Sequence, residues 1–385
     1  MDFDLSEDQI MLKRAVRDFL ENEIAPTVDE RDRGGPFTKE ELVAYIKKLM
    51  PFGYYTGNLP EEYGGMNLSL MTMSLLQEEL CRVWGSLGLA VGAMCISISD
   101  MLNTGEEVKK KYLHRLATGE LIAAGAITEP NVGSDAASVE TTAVLDGDEY
   151  VINGTKIWIT NGTVADIVRV LAVTDKSQGR RGLSRIVVSK EESPFTTRHL
   201  HHMGWNCAPT GELSFVDCRV PKENLLTYST TAYQGTMKVL DWARALMAIL
   251  AIGVAQAAID ASIKYAQERV QFGRPIGSFQ LVQEMIFDMM AETDAARLLT
   301  YKAIHKIEKG ERARMELSLA KGYACEAATR VTSKAIEIHG AMGLSDEYPV
   351  ERYYRDAKMT TIPDGTTEIQ KLIVGREALG MRAFV

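Results

Sequence analysis

The sequence predicts an α+β chain in which a small antiparallel β domain separates two helical blocks. Three observations predict it: helical periodicity up to about residue 120, short β-rich runs from Leu121 to about Leu226, and three long helical stretches after Tyr233. The expected domains are an N-terminal helical domain over 1–120, a middle β domain over 121–230 and a C-terminal helical bundle over 231–385.

Ser6, with Gln9 three residues later, forms a capping box, and Leu12, Val16, Phe19 and Leu20 then recur at helical spacing. Helical patterns follow at 40–49, 71–80, 86–102 and 106–117, punctuated by Pro51, Pro60 and Gly64-Gly65. The strands are legible in YVINGTKIWIT, ADIVRVLAV, LSRIVVS and GELSFVDCRV, with Asp146-Gly147 and Asn153-Gly154 as turn signals. Segments 233–270, 279–308 and 312–340 read as helices, followed by a Gly-rich turn and a terminal helix at about 366–380. A ligand is expected in the cleft between domains, where pockets usually form.

Composition narrows the function. The 385 residues are 46% hydrophobic and 25% charged, which is ordinary for a globular chain. A net charge of -9 argues against a nucleic-acid surface, which concentrates uncompensated Lys and Arg. Cys81, Cys95, Cys207, Cys218 and Cys325 show neither CxxC nor Cys/His metal spacing, so no disulfide framework or metal site is expected, and the reading is a reducing, cytoplasmic setting. The start, MDFDLSEDQI, is acidic and shows no secretory or transit signal. Leu246 to Ile259 is the most apolar segment; interrupted by Gln256, it is too short for a membrane span of about 20 residues and reads as a core helix. His201 and His202 read as a solvated pair, and Met285, Met289 and Met290 as core or subunit packing.

Two loops carry chemistry. Ile127 to Asp135 (ITEPNVGSD) puts a hydroxyl among turn formers at a strand end, and alone it is a surface turn. Lys156 to Gly162 (KIWITNG) sets Trp158 beside Thr160, an aromatic body and a hydroxyl able to wall and hydrogen-bond a flat heteroaromatic ring. An isolated Trp in a strand is more often core.

With LPEEYGG (Leu59 to Gly65), AITEPNVGSD, NGTKIWITNG, ERVQFGRPI (Glu268 to Ile276), IHGAMG (Ile338 to Gly343), and YPVERYYRDAK followed by PDGTTEIQKLIVGRE, the chain resembles the acyl-CoA dehydrogenase family nearly end to end. The resemblance implies an acyl-CoA dehydrogenase-like fold with a C-terminal four-helix bundle, a homotetramer, FAD as cofactor and an electron-transferring flavoprotein as acceptor. It places Thr128 at the flavin pyrimidine edge and Trp158 and Thr160 near flavin N5. Arg269, Gln271 and Phe272 match positions reaching across a subunit interface to the FAD diphosphate and adenosine. Gly340 and Thr366 fall in the same cofactor-binding segments. Glu337 and Glu368 stand where relatives commonly have Gln, and a carboxylate there repels a diphosphate unless it is paired or turned away. Ser134 matches a pantetheine contact, Asp241 and Arg244 match CoA-side positions, and Gly365 lies beside the thioester. As residues alone, Asp241 and Arg244 also fit a plain i, i+3 ion pair.

The same resemblance makes Asp364 the base that removes the thioester α-proton, its backbone N–H holding the thioester carbonyl together with a flavin ribityl hydroxyl. Most relatives have Glu there. Asp is one methylene shorter, setting its oxygens roughly 1.3 to 1.5 Å further back. A substrate bulky at the α-carbon, branched or ring-bearing, suits that shorter reach, as do the small residues Gly88, Ala90, Gly92 and Ala93. Within the family Asp resembles the dehydrogenases of alicyclic acids in anaerobic aromatic metabolism. The leading substrate is therefore cyclohexane-1-carboxyl-CoA, giving cyclohex-1-ene-1-carboxyl-CoA. Segment 88–98 holds no carboxylate, which favours α,β-desaturation over 1,4-elimination of a cyclohexene-carboxyl-CoA. The alternatives are a short or branched acyl-CoA substrate, a nitroalkane-type flavin oxidase, which also uses an Asp base, and a non-catalytic CoA- or flavin-binding scaffold.

Overall fold

The computed structural model describes residues 5–226, 231–381 and 383. The first block holds α1 (Glu7–Phe19), which runs through a π turn into α2 (Ala25–Asp32), then α3 (Lys39–Leu49), α4 (Leu70–Val83), α5 (Gly85–Met101), and the short α6 (Glu106–Val108) and α7 (His114–Ala117). The Ser6 hydroxyl accepts from Gln9 N–H at 3.2 Å and Gln9 accepts from Ser6 N–H at 3.1 Å, so the capping box forms. α5 is buried along most of its length, and the block closes on a core of Leu, Ile, Tyr54, Tyr55 and Trp84.

The middle block has β1 (Ala123–Ala126), β2 (Thr142–Asp146), β3 (Glu149–Ile159), β4 (Ile167–Val173), β5 (Leu183–Ser189), β6 (Thr196–His199) and β7 (Gly211–Pro221). The order is β1-β4-β2-β3-β7-β6, with β5 also on β4. Pairings are antiparallel except that β1 lies parallel to β4, and β2 meets β4 in parallel at Thr142 and Val173. The expectation of a purely antiparallel sheet is thus corrected at one edge. β1 enters from the helical block rather than through a hairpin, so no tight turn imposes an antiparallel partner.

The last block holds α8 (Ala232–Glu268), the hairpin β8 (Val270–Gln271) and β9 (Arg274–Pro275), then α9 (Gln280–Glu308), α10 (Arg314–His339), α11 (Val350–Thr360) and α12 (Thr367–Leu379). α8 corrects the reading of its apolar segment as too short: the helix is 37 residues and, by length and composition, could cross a membrane. Its apolar residues are instead buried in a core shared with α4, α9, α10 and α11, which makes it the spine of the bundle. α11 stands where the sequence reads only a turn. The segment is charged, and only Val350, Arg352, Asp356, Ala357 and Thr360 are buried, too sparse a stripe to register as helical periodicity. Met289 is buried and Met290 is half-exposed, in line with packing roles.

Candidate active site

Two ledges carry the residues singled out above. On the first, β3 slips register against β7 between Lys156 and Ile159, and Trp158 takes a left-handed φ of 61°. Such a bulge turns a side chain off the ladder, and the indole is 52% exposed instead of joining the core. The Thr128 carbonyl accepts Ile157 N–H at 2.9 Å, which sets the first loop against β3. Beneath them the fully buried Lys156 ammonium reaches the Ile127 carbonyl at 2.9 Å and the Glu129 carboxylate at 2.7 Å. Burial pushes Lys156 down to about 8 while Glu129 pulls it back up. Asn161, also at positive φ, donates to the Ala90 carbonyl of α5 at 2.9 Å and ties this ledge to the first helical block. Thr128, Trp158 and Thr160 are thereby brought together, with Ser134 exposed on the same loop. An open indole flanked by two hydroxyl-bearing residues fits a flat ring with hydrogen-bonding edges.

The second ledge is the turn between α11 and α12. Asp364 at φ 56° is followed by Gly365 at φ 90°, two consecutive left-handed residues. The turn is closed by Thr367 N–H on the Thr361 carbonyl at 3.1 Å, and the Thr366 hydroxyl caps α12. Gln370, wholly buried, donates to the Gly365 carbonyl at 2.8 Å and the Asp364 carbonyl at 3.2 Å. Asp364 lies deep among protein atoms yet is only half-buried to water, and no described residue hydrogen-bonds its carboxylate. Burial raises its pKa, opposed by the cations Lys321 and Arg244. Arg244, 3% exposed on α8, is ion-paired to Asp241, so the pair read from spacing alone does form, but inside the protein. Burial pulls Arg244 down and Asp241 up, each opposed by the other.

Other expected residues lie elsewhere. Arg269, Gln271 and Phe272 sit on the β8–β9 hairpin, where Phe272 is 91% exposed. Arg269 follows Arg244 by 25 residues of one helix, about 37 Å along the axis, so the hairpin cannot reach this chain's own Asp364. Gly340 ends α10 at positive φ, while Glu337 and Glu368 are both exposed. The Thr366 hydroxyl hydrogen-bonds the Glu368 carboxylate and lowers its pKa. His201 is exposed, but His202 is half-buried with Nδ1 against the Gly204 carbonyl, a correction to the solvated pair.

A cavity of about 330 Å³ opens between α4, α5 and α8, lined by Met73, Gly92, Ile96, Asp100, Trp242 and Leu246 among others. Trp242, Leu246 and Ile249 share a face of α8, and Arg244 stands about 200° around the helix from Trp242, so the cavity lies across α8 from Asp364. One expectation changes here. Gly88 faces Cys81, whose Sγ a Cβ would meet at 2.5 Å, and Ala90 is buried in the core, so neither lines the cavity. A carboxylate, Asp100, does line it just beyond segment 88–98, ion-paired to Arg169 and Arg185. Lys321 and Gln370 were missed by the sequence reading; a Lys on a long helix carries no signal of burial.

Comparison with known proteins covers the whole chain. The family models described as acyl-CoA dehydrogenase N-terminal, middle and C-terminal domains match residues 6–120, 124–218 and 234–379. A probable acyl-CoA dehydrogenase of Bacillus subtilis is 40% identical over 98% of this chain and 100% of its own length. A chain in a structure of the electron transferring flavoprotein of Acidaminococcus fermentans superposes with TM-score 0.94 at 40% identity, covering 98% of this chain and 100% of that one. Butyryl-CoA dehydrogenase from Megasphaera elsdenii superposes with TM-score 0.93 at 36% identity over the same shares.

Proposed function

Because the chain belongs to the acyl-CoA dehydrogenase family, FAD-dependent enzymes acting on CH–CH bonds, we propose that Asp364 is the base that removes the α-proton of its acyl-CoA thioester. The observation that carries this reading is a half-open carboxylate with no hydrogen-bond partner among the described residues, its pKa raised by burial, on a turn clamped from behind. A raised pKa makes the carboxylate a stronger proton acceptor, as a general base requires. The Asp364 N–H holds the thioester carbonyl and stabilises the charge that develops there. Arg244, Asp241 and Gly365 line the CoA side with Ser134. Bound FAD would supply the hydride acceptor for the β-carbon. Thr128, Trp158 and Thr160 would hold its ring. Arg269, Gln271, Phe272, Glu337, Gly340, Thr366 and Glu368 are the remaining candidates for its diphosphate and adenosine.

The distance along α8 supports a cofactor shared between subunits, as do exposed apolar residues on α9, Leu281 at 72% and Phe287 at 70%; we assign a homotetramer. Similarity to a chain found with an electron transferring flavoprotein supports that acceptor. Five unpaired cysteines suit a reducing, cytoplasmic setting.

The acyl group we propose is alicyclic, cyclohexane-1-carboxyl-CoA going to cyclohex-1-ene-1-carboxyl-CoA. The short reach of Asp364 supports it, against a relative named for linear butyryl-CoA. Engagement of Asp100 by two arginines leaves it poorly suited to a second proton abstraction, which favours α,β-desaturation. The test is anaerobic bleaching of the oxidised flavin by cyclohexane-1-carboxyl-CoA, butyryl-CoA and a branched acyl-CoA. Fast bleaching by the ring substrate alone is expected. Preference for butyryl-CoA would remove the alicyclic assignment and keep the dehydrogenase, and no bleaching by any thioester would reopen the oxidase and scaffold readings.

A further inference from the structure

We propose that Lys321 is a positioning residue for the base: its buried ammonium holds the Gly365 and Thr361 carbonyls and so fixes the turn that carries Asp364. The proposal rests on the reading of Asp364 as base. Lys321 lies on α10 and is wholly buried, with Nζ 2.6 Å from the Gly365 carbonyl and 3.5 Å from that of Thr361. No carboxylate of the described residues comes within ion-pair distance of it. A buried ammonium served only by main-chain carbonyls is costly, and truncation to an apolar residue is the cheaper way to fill such a space.

The geometry shows what the cation does there. Asp364 and Gly365 are both left-handed, and Asp keeps that conformation only where its surroundings impose it. Two side chains impose it. Gln370 draws in the carbonyls of residues 364 and 365, and Lys321 those of 365 and 361. The Gln370 Oε1 is buried with no partner among the described residues, so this amide serves through its donor end. Removing either clamp frees carbonyls of the turn and lets the carboxylate wander from the α-carbon, which costs rate steeply.

Lys321 also differs from Gln370 in charge. Facing it are Asp364 on the turn, Arg244 on α8, Glu368 on α12 and Cys325 on its own helix. Among the described residues only the cations Lys321 and Arg244 act on Asp364, and Arg244 is already matched by Asp241. Lys321 is therefore the less compensated of the two cations, and it holds down a carboxyl that burial pushes up. Without it Asp364 protonates more readily, and the acid limb of kcat/KM, which requires ionised Asp364, moves to higher pH.

The experiment compares Lys321→Met and Lys321→Gln with wild type as purified flavoproteins, reading kcat and the pH profile of kcat/KM with whichever acyl-CoA bleaches fastest. Lys321→Met should lose about 30-fold or more in kcat and shift the acid limb up by about one pH unit. Lys321→Gln keeps a donor for the Gly365 carbonyl and should recover part of kcat while retaining the shift. Equal losses with an unmoved acid limb would reduce Lys321 to packing and overturn the proposal. If Lys321→Met yields no flavoprotein, Gln370→Met decides: it removes a clamp without a charge, so kcat should fall and the acid limb stay, and a full rate would overturn the clamp. Asp364→Asn is the control. Activity surviving in it overturns the base assignment and this proposal together, whereas an inactive Asp364→Asn beside an unshifted Lys321 series overturns this proposal alone.

Discussion

Asp364 and Asp356 lie eight residues apart, one on the turn after α11 and one within it, and burial raises the pKa of both. Their surroundings differ. Asp356 is 2% exposed, accepts Trp205 N–H at 2.6 Å, and sits so close to the start of α5 that a Cβ on Gly85 would meet its Oδ2 at 2.9 Å. Asp32, nearby, binds the Trp84 indole N–H at 3.0 Å and repels Asp356. These groups join all three blocks of the chain at a sealed junction. Asp364 is half-open, lacks a side-chain partner among the described residues and rides on a left-handed turn. A raised pKa therefore does not by itself mark a catalytic group. What separates the proposed base from the structural acid is access and an unfilled hydrogen-bonding capacity.

The sharpest way to break that comparison is to neutralise each carboxylate. Asp364→Asn should reduce flavin bleaching by about a thousandfold or more, while Asp356→Asn, which keeps an oxygen for Trp205 N–H, should stay within about threefold of wild type in stopped-flow assays. Similar losses in both would erase the distinction. Asp364→Glu restores the missing methylene and should move the preference from cyclohexane-1-carboxyl-CoA towards butyryl-CoA by about tenfold or more in kcat/KM ratio. An unchanged ratio would show that reach does not select the acyl group.

The two acids should also give pH trends of opposite sign. A raised Asp364 pKa means activity gained as pH rises through it. Asp356, pushed up to about 7 from an ordinary 3.8, binds its proton more tightly in the folded state. Its contribution to stability is full below about pH 4 and lost as pH rises through about 7. The thermal midpoint should fall by a few degrees between pH 5.5 and 8, and the fall should shrink in Asp356→Asn. The smallest expected effect is that of Asp32→Asn, which removes one repulsion, should lower the pH of that fall by less than about one unit, and should leave the rate alone.

Much of this molecule was legible in local sequence. Ser6 with Gln9 marks the first helix start, Trp158 beside Thr160 marks one ledge, and Asp364 stands out through the segment around it. Other features were not. Trp158 reads equally well as a core residue until the bulge turns it outward. α11 hides because most of its residues are polar.

The sequence by itself determined the succession of helical and β blocks and the family, and singled out Asp364 as the candidate base, because capping, periodicity and motif residues act over a few neighbouring positions. The tertiary structure alone decided that Lys321 and Gln370 clamp the Asp364 turn, that Arg244 and Asp241 pair inside the protein, that β1 runs parallel to β4, and that the cavity between α4, α5 and α8 lies across α8 from Asp364. Each of these joins residues dozens of positions apart or opposite faces of one helix. Burial, which sets the pKa of Asp364 and the cost of an unpaired ammonium, belongs to a residue only once the rest of the chain has packed around it.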